Sequence, residues 1–234
     1  MERLDKIISS QGKYSRKEVK KLISNRKISV NEIYVTSSNI KIDIEKDTIK
    51  INGVFLDIKK NIYLILNKPK GYVSATKDNK DKTVLELVPE NLFRKNLFPA
   101  GRLDKDTTGL MIITNDGEFS HNILSPKKHV KKTYEVTIDI PVTQKMILDF
   151  KNGIKLNDGV CKPSFLKIIS EYTAIVTLTE GRYHQIKRMF GTFGAKVLNL
   201  NRICIGNLEL PTNLKIGECR ELTSEELLKL QEKI

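Results

Sequence analysis

No apolar run in this chain is long. The tightest cluster is Tyr63-Leu64-Ile65-Leu66, far short of the roughly 20 apolar residues that a membrane-spanning helix needs. The core must therefore be assembled from short strands and short amphipathic helices, and no membrane partner is expected. Hydrophobic residues are 39% of the 234, enough for one large or two modest cores. The start, Met-Glu-Arg-Leu-Asp-Lys-Ile-Ile, lacks the apolar centre of a secretory leader, so a cytoplasmic location is expected. Cys161, Cys204 and Cys219 are odd in number, far apart and without histidines at ligand spacing. They are read as reduced packing residues rather than a disulfide framework or a zinc site.

The phase of the apolar residues changes along the chain. Leu4, Ile7 and Ile8 follow helical spacing until Gly12 stops the pattern, and Ser15 with Glu18 forms a capping box ahead of Val19, Leu22 and Ile23. Ile28-Ser29-Val30 then reads as a strand, and residues 40 to 62 are strand-like and charged, with Lys59-Lys60-Asn61 as a linker. Beyond it, strands are expected at 62–66, 133–138, 165–170 and 173–179, and a helix at 184–193 that buries Ile186, Met189, Phe190 and Phe193. A last helix, 225–232, is capped by Thr223 with Glu226. The expected fold class is α+β: a small domain over 1–60, then a larger one over 61–234 with a mixed, mainly antiparallel sheet and flanking helices.

Charge narrows the function. Lys+Arg number 41 against 28 Asp+Glu, a formal +13 that suits a polyanion, with nucleic acid first among candidates. Residues 1–30 hold nine Lys/Arg against three acids. Lys17, Lys20 and Lys21 fall away from the apolar stripe, and with Arg3, Lys13, Arg16 and Lys27 they form a solvated face able to lie along phosphates. A plain solubilising face is the alternative, which the density and sign of the charge disfavour. The run from Arg3 to Val30 resembles the S4 RNA-binding domain. S4-like units often close the strand with Val-Asn-Gly, where this chain has Val30-Asn31-Glu32, so a turn of another type is expected.

The stretch Gly101-Arg-Leu-Asp-Lys-Asp-Thr-Thr-Gly-Leu110 sets two carboxylates, Asp104 and Asp106, between glycines that permit tight turns and threonines that can bond backbone or a carboxylate. Such a loop holds a carboxylate rigidly. The residues alone leave three readings open: turn or cap aspartates, a catalytic carboxylate, or a Mg²⁺ site.

Three more stretches bear on the choice: NKPKGYVSAT at 67–76, KKTYEV at 131–136 and EGRYHQIKRMF at 180–190. With GRLDKDTTGL they closely resemble the pseudouridine synthases of the RsuA type, over the whole chain and in family order. The resemblance implies that Asp104 is the catalytic aspartate, that Tyr134 stacks on the target base, that Lys187 pairs with the aspartate, and that NKPKG supports the active-site loop. It implies no cofactor and no metal, because isomerising uridine neither adds nor removes a group. In this context Arg102 is expected to insert near the flipped nucleotide or brace the loop. Arg182, His184 and Arg188 are expected to contact RNA, His184 in preference to moving a proton, and Asp106 is expected to be structural. His121, His129 and the lysines of SPKKHVKK at 125–132 suit phosphate contact or a solvated loop about equally.

The expected activity is site-specific isomerisation of a uridine of 16S ribosomal RNA, at a uridine-516-type site, by base flipping and without a cofactor. The subunit rests on Tyr183-His184-Gln185, where large-subunit relatives tend to have Asn-Arg-Gln. The partner is then 16S rather than 23S ribosomal RNA, free or in a small-subunit assembly intermediate, and the protein a monomer. Competing readings are a 23S enzyme of the same group, a non-catalytic S4-type RNA-binding or assembly protein, and a Mg²⁺-dependent nuclease using Asp104 and Asp106.

Overall fold

The computed structural model describes residues 1–124 and 130–232. The expectations for Lys127, Lys128 and His129 lie outside them. The chain divides into two compact units, Met1–Ile62 with Val88–Leu97, and Tyr63–Leu87 with Phe98–Ile234. Among the described residues no helix is long and apolar enough to cross a membrane.

In the first unit, strand β1 (Glu2–Arg3) leads into helix α1 (Leu4–Ser10), and helix α2 (Arg16–Ser24) follows. The Ser15 hydroxyl accepts from the Glu18 amide while the Glu18 carboxylate accepts from the Ser15 amide, closing the capping box. Strands β2 (Ile28–Val30), β3 (Ile33–Tyr34), β4 (Lys41–Ile42), β5 (Ile49–Ile51) and β6 (Val54–Phe55) complete it, four of them pairing in the order β3-β2-β5-β6. Leu4, Ile7, Ile8, Val19 and Ile23 pack on Ile28, Ile42, Ile49 and Ile51, which is the expected helical stripe meeting the sheet.

The turn between β2 and β3 corrects the expectation drawn from its sequence. Val30 pairs with Ile33 across a two-residue loop, and both Asn31 (φ 49) and Glu32 (φ 68) are left-handed. That is the type I′ hairpin that Asn-Gly would make, because it matches the twist of the strands. Glu32 therefore bears the steric cost that glycine avoids, offset in part by its ion pair with Lys50 at 2.6 Å.

The second unit is built on one long sheet. Its strands are β7 (Tyr63–Lys68), β8 (Phe98–Ala100), β9 (Thr108–Thr114), β10 (Lys132–Ile138), β11 (Lys155–Leu156), β12 (Gly159–Val160), β13 (Phe165–Ser170), β14 (Thr173–Leu178), β15 (Val197–Ile205), β16 (Leu208–Glu209) and β17 (Cys219–Glu221). Helices α3 (Gly117–Leu124), α4 (Gln144–Asn152), α5 (Gln185–Gly191) and α6 (Ser224–Gln231) flank it. The sheet runs β13-β14-β10-β15-β9-β7-β17, with β8 beside β9 and β16 beside β15. Its pairings are antiparallel except that of β15 with β9, which is parallel. At that junction Gly109 lies opposite Arg202, and a methyl group on Gly109 would come within 2.3 Å of the Arg202 carbonyl oxygen. Only glycine lets the two backbones approach there.

Two central strands were not expected from the sequence, the nine-residue β15 and the seven-residue β9. The first residues of β9, Thr108-Gly109-Leu110, belong to the stretch read as a loop, because Gly and Thr mask the apolar run Leu110–Ile113 that follows. That run is fully buried. The loop proper, 101–107, is gripped from below by the NKPKG segment. The Lys68 side chain is fully buried, and its ammonium reaches the carbonyl oxygens of Asp104 (3.1 Å), Lys105 (3.3 Å), Thr107 (2.8 Å) and Pro69 (3.1 Å). Gly71 donates its amide to the Lys105 carbonyl at 2.8 Å, and the Ser74 hydroxyl both donates to the Leu103 carbonyl and accepts from the Leu103 amide. Burial pushes the Lys68 pKa down to about 8, against the opposing charges of Asp106 and Asp104.

Two stability measurements follow. Glu32→Gly relieves the left-handed strain and should raise the urea midpoint by the equivalent of about 0.5–1 kcal/mol; a lower midpoint would mean that the Lys50 ion pair outweighs the strain. Lys68→Met leaves buried carbonyls without a donor and should cost roughly 3 kcal/mol in the same assay, whereas an unchanged midpoint would show that the loop holds itself.

Candidate active site

Above the gripped loop lies a cavity of about 590 Å³, lined by residues of the second unit only. Three sequence stretches meet there. The loop contributes Arg102, Asp104 and Thr107; strand β10 contributes Lys132 and Tyr134; the turn before α5 and its first residues contribute Arg182, Tyr183, His184 and Lys187. Asp104, Tyr134 and Lys187, far apart in sequence, are thus walls of one pocket.

Each side chain is there for a local reason. Tyr134 alternates along β10 and packs partly on the core of the second unit. In α5, Ile186, Met189 and Phe190 are buried, as their helical spacing requires, and this turns Lys187 to the pocket. His184 caps α5 with a left-handed backbone, φ 47, and its ring stacks on Tyr183 with centroids 3.9 Å apart. That conformation carries the imidazole to the loop, where Nε2 stands 3.4 Å from Asp104 Oδ1.

Lys187 is the hub of the charges. Its Nζ lies 3.3 Å from Asp104 Oδ2, but it makes its shorter bonds to Asp106, 2.7 Å to Oδ1 and 2.9 Å to Oδ2. Those bonds hold the Asp106 carboxyl below the usual carboxylate range. Burial alone would lower the Lys187 pKa, yet the bond to Asp106 and the charge of Asp104 overcome it and leave it raised. Asp106, expected to be structural, has Lys187 as its main partner, and that lysine thus serves both carboxylates. A lysine ammonium already fills the space between them that a divalent cation would need. Among the described residues no three His, Cys, Asp or Glu side chains cluster as metal ligands.

The threonines divide. Thr108 donates to Asn201 Oδ1 at 3.0 Å and so ties the loop to β15. Thr107, 1% exposed, bonds through its amide to the Asp104 carbonyl, while its hydroxyl has no partner among the described residues.

The expected RNA-binding residues fall into three groups. Lys13, Arg16, Lys17, Lys20, Lys21 and Lys27 are exposed in the first unit, and Arg3 is exposed there beside Asp5 at 2.9 Å. Arg102 is exposed at the pocket and His121 is exposed on α3. Arg182 and Arg188 differ from expectation: their guanidiniums are engaged within the protein. Arg182 donates to the carbonyls of Gly159 and Val160, and Arg188 forms a two-point pair with Asp158 and donates to the Tyr183 carbonyl. Both arginines brace the β11–β12 hairpin against the start of α5, which fixes the turn bearing His184. Asp158 lies too far away in sequence for that pairing to be foreseen.

Two basic residues of the pocket were not expected in it: Lys132, read with the lysines of SPKKHVKK as suiting phosphate contact or a solvated loop, and Arg202, which the sequence did not single out. Arg202 is 2% exposed, and its Nε donates to the Leu110 carbonyl at 2.7 Å. The signal was present: in Leu200-Asn-Arg202 a charge falls in phase with an inward leucine.

Residues 2–53 match the S4 domain, and residues 62–192 match the RNA pseudouridylate synthase family. An uncharacterized RNA pseudouridine synthase of Bacillus subtilis is 40% identical over 98% of both chains. The ribosomal small subunit pseudouridine synthase A of Escherichia coli is 45% identical over 70% of this chain and 72% of its own length. A crystal structure of a pseudouridylate synthase, 38% identical, superposes over 98% of this chain with a TM-score of 0.68. A carboxylate, a cation and an aromatic ring facing one cavity, in a chain that also carries an S4 domain, accord with these matches: the chain belongs to the RNA pseudouridine synthases, in the S4-bearing RsuA-type group.

Proposed function

We propose that this enzyme isomerises a uridine of 16S ribosomal RNA, at a uridine-516-type site, with Asp104 as the reacting carboxylate. The observation that carries this reading is the meeting of Asp104, Lys187 at 3.3 Å and Tyr134 in one cavity, with the loop backbone fixed by Lys68. The reaction breaks the C1′–N1 bond, turns the uracil and rejoins it through C5. Asp104 either attacks C1′ or takes the C2′ proton to give a glycal, and in both routes the uracil departs with the electron pair of the broken bond. Tyr134 offers its ring face to the base, a contact worth ~1–3 kcal/mol. His184 and Lys187 flank the two carboxylate oxygens and orient them.

Flipping the nucleotide out of structured RNA costs a few kcal/mol. The exposed cations of the first unit and Arg102 offset that cost by holding phosphates. The 16S target is supported by the small-subunit enzymes among the relatives and by Tyr183-His184-Gln185 in this chain. The enzyme acts in the cytoplasm, on free RNA or on an assembly intermediate.

A pseudouridine map of 16S and 23S RNA from cells with and without the protein tests target and chemistry together. Loss of one 16S site, restored by wild type but not by Asp104→Asn, is expected; a lost 23S site would overturn the subunit. In vitro, Asp104→Asn should lower turnover by roughly 10⁴-fold with RNA affinity kept, and retained turnover would remove Asp104 from the chemistry. Neutralising Lys17, Lys20 and Lys21 together should flatten the salt dependence of binding by about 0.9 per lost duplex phosphate contact. An unmoved slope would place docking elsewhere.

A further inference from the structure

The pocket floor holds a charge that the protein itself leaves unanswered. Arg202 lies opposite Tyr134 across β10 and β15. Lys132 precedes Tyr134 by two residues on β10 and therefore shares its face of the sheet. All three line the cavity. Among the described residues the buried Arg202 Nη2 has no hydrogen-bond partner, and neither does the buried hydroxyl of Thr107, which also lines the cavity. Lys132 is half-buried, and among the described residues its ammonium bonds only to the Val130 carbonyl, at 3.2 Å. Burial, then the charge of Arg202, push its pKa down to about 8. Among the described residues neither cation has a carboxylate partner. The acids of the pocket are committed elsewhere, Asp104 to Lys187 and His184, Glu180 to Arg182 and Gln185.

Two like charges and two unbonded donors on one apolar-backed surface destabilise the free protein, since buried polar groups are normally satisfied. They make sense only toward a negative group that arrives in the pocket. When the C1′–N1 bond breaks, its electron pair stays on the uracil, and the charge spreads over N1, O2 and O4. Lys132 and Arg202, neighbours of Tyr134 on the lining of the same cavity, are the cations nearest to hand for a base stacked on that ring.

We propose that Lys132 and Arg202 form a receptor for the negative charge of the detached uracil, holding the base in the pocket while it turns to present C5. The inference rests on the reading of this pocket as the site of isomerisation. Electrons balance without a further reactant. The pair received by N1 on departure is redistributed to C5, which bonds to C1′ as the bond or double bond made by the Asp104 step reverts. The C5 proton then leaves, N1 gains one, and the receptor charge is unchanged.

The test is single-turnover kinetics on a 16S fragment carrying the target uridine, with RNA affinity and thermal melting measured in parallel. Lys132→Gln should lower the rate of the chemical step by about 10²-fold, the effect of removing one charge-stabilising donor, with affinity within twofold of wild type. Its Tm should rise, because one of two repelling charges is gone, and Lys132→Arg should restore most of the rate. A weakened affinity with an unchanged step would make the pair a phosphate anchor and overturn the proposal. So would an unchanged rate, or a loss of rate accompanied by a lower Tm and no rescue by arginine. Absence of pseudouridine from wild-type reactions would instead defeat the function proposed for the pocket.

Discussion

One buried ammonium, that of Lys68, organises the catalytic half of this molecule. The loop at 101–107 must leave the sheet, expose carboxylates and return as β9, and each turn of its backbone strands a carbonyl. Unbonded and buried, each such oxygen would cost about 1–3 kcal/mol. Lys68 collects the carbonyls of Asp104, Lys105 and Thr107 on a single nitrogen, which lets an irregular loop sit over the middle of a sheet. Because the loop is held through its backbone, its side chains need not hold it. Asp104 and Asp106 are left to face outward, toward Lys187.

The same logic explains what could be read from the sequence. Local bonds leave local signatures, so the capping boxes at Ser15 and Thr223 and the helical stripe of Ile186, Met189 and Phe190 were legible. Pairings across long sequence separations were not. Nothing near Arg182 or Arg188 announces Asp158 and its hairpin as their partner, so two braces read as free cations. Strand β9 was hidden because its entry, Thr108-Gly109, carries the composition of a turn. Gly109 is there for the close parallel approach to β15, a feature that exists only once the sheet is assembled.

Arg202 marks the limit of a different kind of reading. Counting charge placed it among the surplus of basic residues that suit a polyanion, yet it is 2% exposed and is not part of the solvated basic surface. The basic character of this protein therefore has two physical meanings. In the first unit the cations are solvated, and their attraction to phosphates falls with salt. In the pocket they are desolvated and poorly screened, so each acts strongly over a short range on whatever charge develops beside it.

That contrast clarifies the arrangement around Asp104. Were Lys187 to serve Asp104 alone, the pair would be tight and the carboxylate locked to a single partner. Asp106 prevents this by taking the shorter bonds, 2.7 and 2.9 Å, and leaving Asp104 at 3.3 Å. Asp106 thus fixes the height of the ammonium, while Asp104 keeps a longer ion pair with it. His184, set by its left-handed backbone and the stack with Tyr183, closes on the opposite oxygen. The carboxylate is oriented from two sides and anchored through its carbonyl by Lys68, the arrangement that the role proposed for it requires.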